Sequence, residues 1–259
     1  MRQRHQVFRA AGLAVRRPQG GNGAMFPRLL FFLLILAGSV MGADEVLTDK
    51  SPTSKIQALY EKTLASARKD PPFPGGVICV GSSHMQLWSS VKEDLAPLTV
   101  RNFGIGGSRM DHAADLFVQN LVIPFQPRAV ILYEGSNDLN AGFAPEDVRR
   151  NFRKFHQTLH AALPATRLYV LGLVPSPGKR FGKIDDLRRT NALLEEECAS
   201  QPWIRFIDTT SPLIGADGQP KAECFIPGDI HMLPAGYAVW KAAIAPIVLP
   251  VEKPFEAAQ

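Results

Sequence analysis

Four short stretches carry the residue types that chemistry needs. In Cys79-Val80-Gly81-Ser82-Ser83-His84, serines follow directly on an apolar run. A serine at the end of a buried strand sits on a tight turn. Its hydroxyl can face a cleft, with backbone N–H groups pointing the same way. The plainer alternative is a helix N-cap. Asn102 to Ser108 holds Gly104, Gly106 and Gly107, whose N–H groups could bind an anion or simply form a tight turn. It is not a dinucleotide-binding fingerprint, because the final glycine is missing. Gly135-Ser136-Asn137-Asp138 puts an amide where it could donate to a developing oxyanion, a contact typically worth about 3 kcal/mol. The same residue types are also turn formers. Finally, Asp229 and His231 stand just before Pro234. A lone histidine is more often structural, but a serine nucleophile needs such a base, and the base needs an orienting acid.

These stretches must be positioned by the elements around them. Helical spacing covers Ser54–Lys69, residues 113–122, Pro145–Ala162, 184–200 and 234–248. Short apolar, β-branched runs mark strands at 76–80, 98–103, 128–133, 167–174 and 203–207. Strands alternating with helices predict an α/β domain: a five-stranded parallel sheet covered on both faces, a three-layer α/β/α sandwich. Ligands of such sheets bind beyond the carboxyl ends of the strands. The first three stretches fall at such ends, and the fourth lies just before the last helix.

Residues 1–42 differ from the rest. They contain six arginines and no Asp, Glu or Lys, then the run Leu29 to Ala37. That run is shorter than the roughly 20 residues a bilayer span needs. With small residues after it, the segment reads as a secretory signal peptide, Met25 offering a more ordinary start. An uncleaved membrane anchor is the alternative. The expectation is an exported protein, periplasmic or extracellular, with residues 43–259 as one domain and no stable span once the leader is cleaved. The chain's net charge of +5 becomes −1 without residues 1–42. No clustered basic face remains to suggest a nucleic-acid partner. Cys79 reads as a packed core thiol, whereas Cys198 and Cys224 could pair in an oxidising compartment. No metal or cofactor motif is found.

Together the four stretches resemble the SGNH (GDSL-like) hydrolases. Gly81-Ser82-Ser83 with Trp88 resembles their first block. Asn102 to Gly107 resembles the second, Gly135-Ser136-Asn137-Asp138 the third, and His231 with Gly236-Tyr237 the last. The resemblance implies a flavodoxin-like sheet order and a serine esterase acting through an acyl-serine on a small acyl or acetyl ester. Acetylated carbohydrates and lysophospholipids are the implied substrate classes. It implies Ser83 as nucleophile and His231 as base. The oxyanion hole would use the N–H groups of Ser83 and Gly107 with the Asn137 amide. A non-catalytic carbohydrate- or lipid-binding module and an acyltransferase are the alternatives on this scaffold. No Gly-x-Ser-x-Gly elbow is present, which disfavours the α/β-hydrolases.

The chain departs from the pattern in two places. The usual acid position, three residues before the histidine, is Gly228. Asp229, two before, is expected to serve. Asp208, a backbone carbonyl or a Ser–His dyad are the other options. The first block reads Gly-Ser-Ser rather than Gly-Asp-Ser, and His84 is a candidate substrate contact, though the plainer expectation puts it exposed at the cleft rim. Elsewhere, His156 and His160 lack the glutamate of a zinc-peptidase motif and are expected to face solvent. Arg149, Arg150, Arg153 and Lys154 are expected on a solvated face.

Overall fold

The computed structural model describes residues 54–256; the leader read at residues 1–42 lies outside them. Five parallel strands form one sheet: β1 Val77–Gly81, β2 Val100–Gly104, β3 Ala129–Tyr133, β4 Arg167–Leu171 and β5 Ile204–Ile207. Their spatial order is β2-β1-β3-β4-β5. The chain runs outward from β1 to β2, then back past β1 to β3, so β1 and β3 are neighbours that connect in opposite directions. A crevice opens at such a switch point, beyond the carboxyl ends of the strands. Register brings these ends level, Gly81 pairing with Gly104 on one side and Tyr133 on the other.

The long helices are α1 Ser54–Lys69, α2 Pro145–Ala162, α3 Ile184–Ala199 and α4 Pro234–Glu252. The segment Ala113–Val122, together with α2 and α3, forms one packed layer. α4 brings Trp240 against Trp88 and Tyr133. β1 and β3 are buried at every position, which matches their unbroken apolar runs; a sheet covered on both faces requires this.

Three element readings change. Residues 113–122 are helical, but as a π-helix; Ala113, Ala114, Phe117, Val118, Leu121 and Val122 are its buried face, a spacing wider than that of a regular α-helix. β4 stops at Leu171, because the Leu173 N–H leaves the sheet and donates to Asn191 Oδ1 at 3.0 Å. α4 continues through Pro246 and Pro250 to Glu252. The buried Glu252 carboxylate anchors that end, accepting from Arg128, Arg167 and the Tyr169 hydroxyl. By length and composition the segment Pro234–Phe255 could cross a membrane, yet Tyr237, Trp240, Ile244 and Val248 are buried in the core.

Two histidines lie elsewhere than their type suggested. His156 is 2% exposed and meets Glu197 Oε1 at 3.1 Å. The reason is its place on the apolar stripe Phe152, Phe155 and Leu159. His160 stacks on Trp203 with ring centroids 4.4 Å apart. The basic cluster on α2 is threaded with ion pairs: Arg149 and Arg153 to Glu197, Arg150 to Asp147, Lys154 to Asp115. Cys79, Cys198 and Cys224 are buried free thiols, so the possible Cys198–Cys224 bridge is not formed.

Candidate active site

The apolar run of β1 ends at Gly81, and Ser83 opens the short helix Ser83–Gln86. That helix lies hard against the end of β2. A Cβ on Gly104 would come within 2.1 Å of the Gln86 backbone nitrogen, so only glycine fits. Asn102 fastens the same junction, its Nδ2 donating to Met85 O at 2.7 Å and its Oδ1 accepting from Gly104 N–H at 2.9 Å. Gly106 N–H donates to Gln86 Oε1 at 2.9 Å. The glycine-rich turn after β2 is thus tied to the serine turn after β1.

The histidine arrives from the far end of the chain. Ile226-Pro227-Gly228-Asp229 forms a β-turn closed by Asp229 N–H to Ile226 O at 2.9 Å. Proline at its second position and a glycine with φ +76° at its third are the residues a type II turn requires. The turn heads a small hairpin in which Ile226 N–H donates to His231 O and Phe225 bridges Met232. Its effect is to bring Asp229 under the imidazole. His231 Nδ1 donates to Asp229 Oδ1 at 2.9 Å, and the Ser83 hydroxyl donates to His231 Nε2 at 3.0 Å. Asp229 Oδ1 also accepts the N–H groups of Ile230 and His231. The Ile230 N–H foremost, then the histidine, hold its carboxyl below the usual aspartate range. The position three residues before His231 is left to the turn glycine. Asp208 caps the Ser211–Leu213 turn instead, accepting from Thr210 and Ser211 N–H.

The remaining sequence-predicted residues lie close by. Asn137, at the second position of the short helix Ser136–Asn140 after β3, donates from Nδ2 to Ser108 O at 2.8 Å and accepts at Oδ1 from Arg180 Nη2 at 3.1 Å. Gly107 adopts φ +85° in the glycine turn one residue before Ser108. Beneath them Ser108 Oγ donates to Glu134 Oε1, and Met110 N–H donates to both oxygens of Asp138 at 3.0 and 3.1 Å. Burial pushes the Glu134 carboxyl well above its ordinary range and that of Asp138 up to about 7.

Sequence reading misplaces one participant and misses another. His84 is 1% exposed rather than at the rim. Its Nε2–H donates to Ile230 O at 3.1 Å, a carbonyl that also accepts from Ser176 Oγ at 2.9 Å. Desolvation, then the neighbouring His231, pushes its pKa down to about 3, so it stays neutral and braces the histidine loop. Its burial against Tyr133 and Trp240 depends on distant parts of the chain. Arg180 lay in a loop that gave no local signal beyond its charge. No group of three or more His, Cys, Asp or Glu among the described residues converges as metal ligands. A cleft of about 840 Å³ lies along β5 and the outer side of α4, and no residue of the serine–histidine–aspartate line borders it.

A hydroxyl held on an imidazole that is itself held on a carboxylate can be deprotonated as it attacks a carbonyl carbon. Residues 74–239 match the GDSL-like lipase/acylhydrolase family. The chain belongs to that family. As an acylhydrolase it is a hydrolase of the esterase kind. It is 27% identical over 188 residues to platelet-activating factor acetylhydrolase IB subunit alpha1 of Bos taurus, spanning 69% of this chain and 79% of that protein. It is 28% identical over 170 residues to the human alpha2 subunit, spanning 62% and 71%. Among solved structures, a GDSL-like lipase from Bacteroides thetaiotaomicron superposes with a TM-score of 0.58 at 17% identity, covering 71% of this chain and 94% of that one. A carbohydrate esterase of family 3 from Talaromyces cellulolyticus superposes at 0.51 with 15% identity, covering 69% and 98%. At these identities the superpositions establish a shared fold, the flavodoxin-like SGNH arrangement with a parallel five-stranded sheet.

Proposed function

We propose that this acylhydrolase is a serine esterase that cleaves small acyl or acetyl esters through an acyl-serine intermediate. The observation that carries the reading is the continuous hydrogen-bonded line from Ser83 Oγ through His231 to Asp229. Ser83 attacks the ester carbonyl as His231 Nε2 takes its proton. The negative oxygen of the tetrahedral intermediate is met by the N–H groups of Ser83 and Gly107 and by the second N–H of Asn137, the first being held by Ser108 O. Collapse expels the alcohol, protonated by His231. Water activated by the same imidazole then releases the acid and restores Ser83. The acetyl ester named in the Bos taurus relative and the carbohydrate esterase with the same fold make acetylated lipids and acetylated sugars the substrate classes to try first.

The test is a p-nitrophenyl ester series from acetate to octanoate, read by stopped flow. A burst of one p-nitrophenol per chain followed by slower turnover is expected, falling steeply with acyl length. Ser83→Ala should abolish the burst and lower kcat by roughly 10⁶-fold. Neither burst nor turnover on any ester would remove the reading. Product appearing only when an alcohol is added would replace hydrolysis by acyl transfer.

A further inference from the structure

We propose that Arg180, assisted by Lys183, receives an anionic group of the substrate, so that the preferred esters carry a carboxylate or phosphate close to the scissile bond. The proposal rests on the esterase reading above and narrows it to a class of substrate.

The segment Gly178–Lys183 carries Lys179, Arg180 and Lys183 in one short stretch. Arg180 is only partly exposed, and desolvation pushes its pKa down. The other arginines that are not fully exposed show how this chain treats such side chains. Arg101 pairs with Asp70, Arg109 with Asp111, Arg128 with Glu252 and Glu256, Arg149 with Glu196 and Glu197, and Arg167 with Glu252. Among the described arginines that are not fully exposed, Arg180 alone has no carboxylate partner. Asp229, the acidic group that acts on it, is already occupied by His231 Nδ1 and two backbone N–H groups. Arg180 spends a hydrogen bond on Asn137 Oδ1 at 3.1 Å. A guanidinium has five N–H donors in a planar fork suited to carboxylate or phosphate oxygens. Taking a cation partly out of water without a counter-charge is costly. The position beside the oxyanion amide makes substrate the natural counter-charge. Arg180 and Lys183 together line a small cavity with Ser136 and Ser176, and the Lys183 ammonium donates to Leu139 O, again with no carboxylate partner among the described residues.

Two matched pairs of esters test this. p-Nitrophenyl hemiglutarate against p-nitrophenyl valerate places the charge on the acyl side, and m-acetoxybenzoate against phenyl acetate places it on the alcohol side. The wild-type protein is expected to show a higher kcat/KM for the anionic member of at least one pair. Arg180→Gln should cut that preference roughly tenfold or more, and Arg180→Lys should keep part of it. No preference in either pair, or equal loss on both members in Arg180→Gln, would overturn the proposal, the latter making Arg180 a holder of Asn137 alone. Binding gives a second readout free of turnover. Phenyl phosphate and benzoate are titrated into Ser83→Ala by calorimetry, and adding Arg180→Gln should weaken at least one of them about tenfold. Anion binding that depends on Arg180 without hydrolysis of any ester would sink the esterase reading and leave the anion site standing. Hydrolysis without Arg180-dependent binding or preference would do the reverse.

Discussion

At the scale of single residues, backbone geometry accounts for the proposed shift of the acid by one position. Gly228 takes φ +76° with nothing within 4 Å of where a Cβ would lie, so the site requires its conformation rather than its small size. The turn advances the chain enough for Asp229 Oδ1 to reach His231 Nδ1. In a triad whose acid is buried, losing that acid costs on the order of 10⁴ in turnover. The Asp229 side chain is 45% exposed, and water will replace part of what it supplies. Asp229→Asn is therefore expected to lower kcat by roughly 10²–10³-fold with little change in KM. Exchanging the two residues, as Gly228→Asp with Asp229→Gly, should not rescue it, because the turn would then lose its glycine. Steady-state kinetics of both variants decide this, and full activity in Asp229→Asn would give the orienting task to another group. The serine, histidine and amide of the proposed site are legible in sequence because each falls at an element boundary. The partners of His84 and Arg180 were not, since tertiary packing from 40 to 150 residues away supplies them.

Between elements, the turn after β2 and the helix after β3 are laced together by three contacts: Asn137 to Ser108 O, Ser108 Oγ to Glu134, and Met110 N–H to Asp138. Asp138 faces Asp111 and Arg109, with Glu134 also close. Its pKa, raised mainly by burial to about 7, gives the fold a specific pH response. In the unfolded chain the group loses its proton near its ordinary value, about pH 4. In the folded protein it keeps that proton until near pH 7, so the folded state binds more protons across this window. The contribution of Asp138 to stability must therefore fall as pH rises from about 4 to about 7, and that decline ends once the folded group has titrated. Asp138→Asn keeps an oxygen for Met110 N–H and removes the titration. Urea unfolding across this window should show the variant gaining stability relative to wild type as pH rises. A constant difference at every pH would mean that Asp138 is ionised throughout. Element positions were legible to within a few residues, because buried parallel strands are unbroken apolar runs. The errors have local physical causes. His156 looks solvent-facing by residue type alone, whereas the spacing of Phe152, Phe155 and Leu159 places it inward. Pro250 suggests an earlier end for α4, but Glu252, anchored by two arginines and a tyrosine, carries the helix on.

For the whole molecule, the question is what an oxidising compartment would do to it. We propose that residues 1–42 are a leader and that the exported chain starts near Ala43, which carries the basic excess away. The described core, residues 54–256, has three free buried thiols. Desolvation pushes Cys79 and Cys198 each up to about 12 and raises Cys224 as well. A thiol reacts as its thiolate, so these are protected both by poor access and by protonation. Export then requires no disulfide, and the fold should be indifferent to redox conditions. A chain beginning at Ala43 is expected to melt at the same temperature with or without dithiothreitol. It should react with Ellman's reagent slowly while native, and release three equivalents of thiol once unfolded in denaturant. If oxidation raised the melting temperature and left Cys79 as the one reactive thiol, Cys198 and Cys224 would have to pair. The segment Ala222–Cys224 that precedes the histidine hairpin would then have to move, and with it the placement of Asp229 and His231.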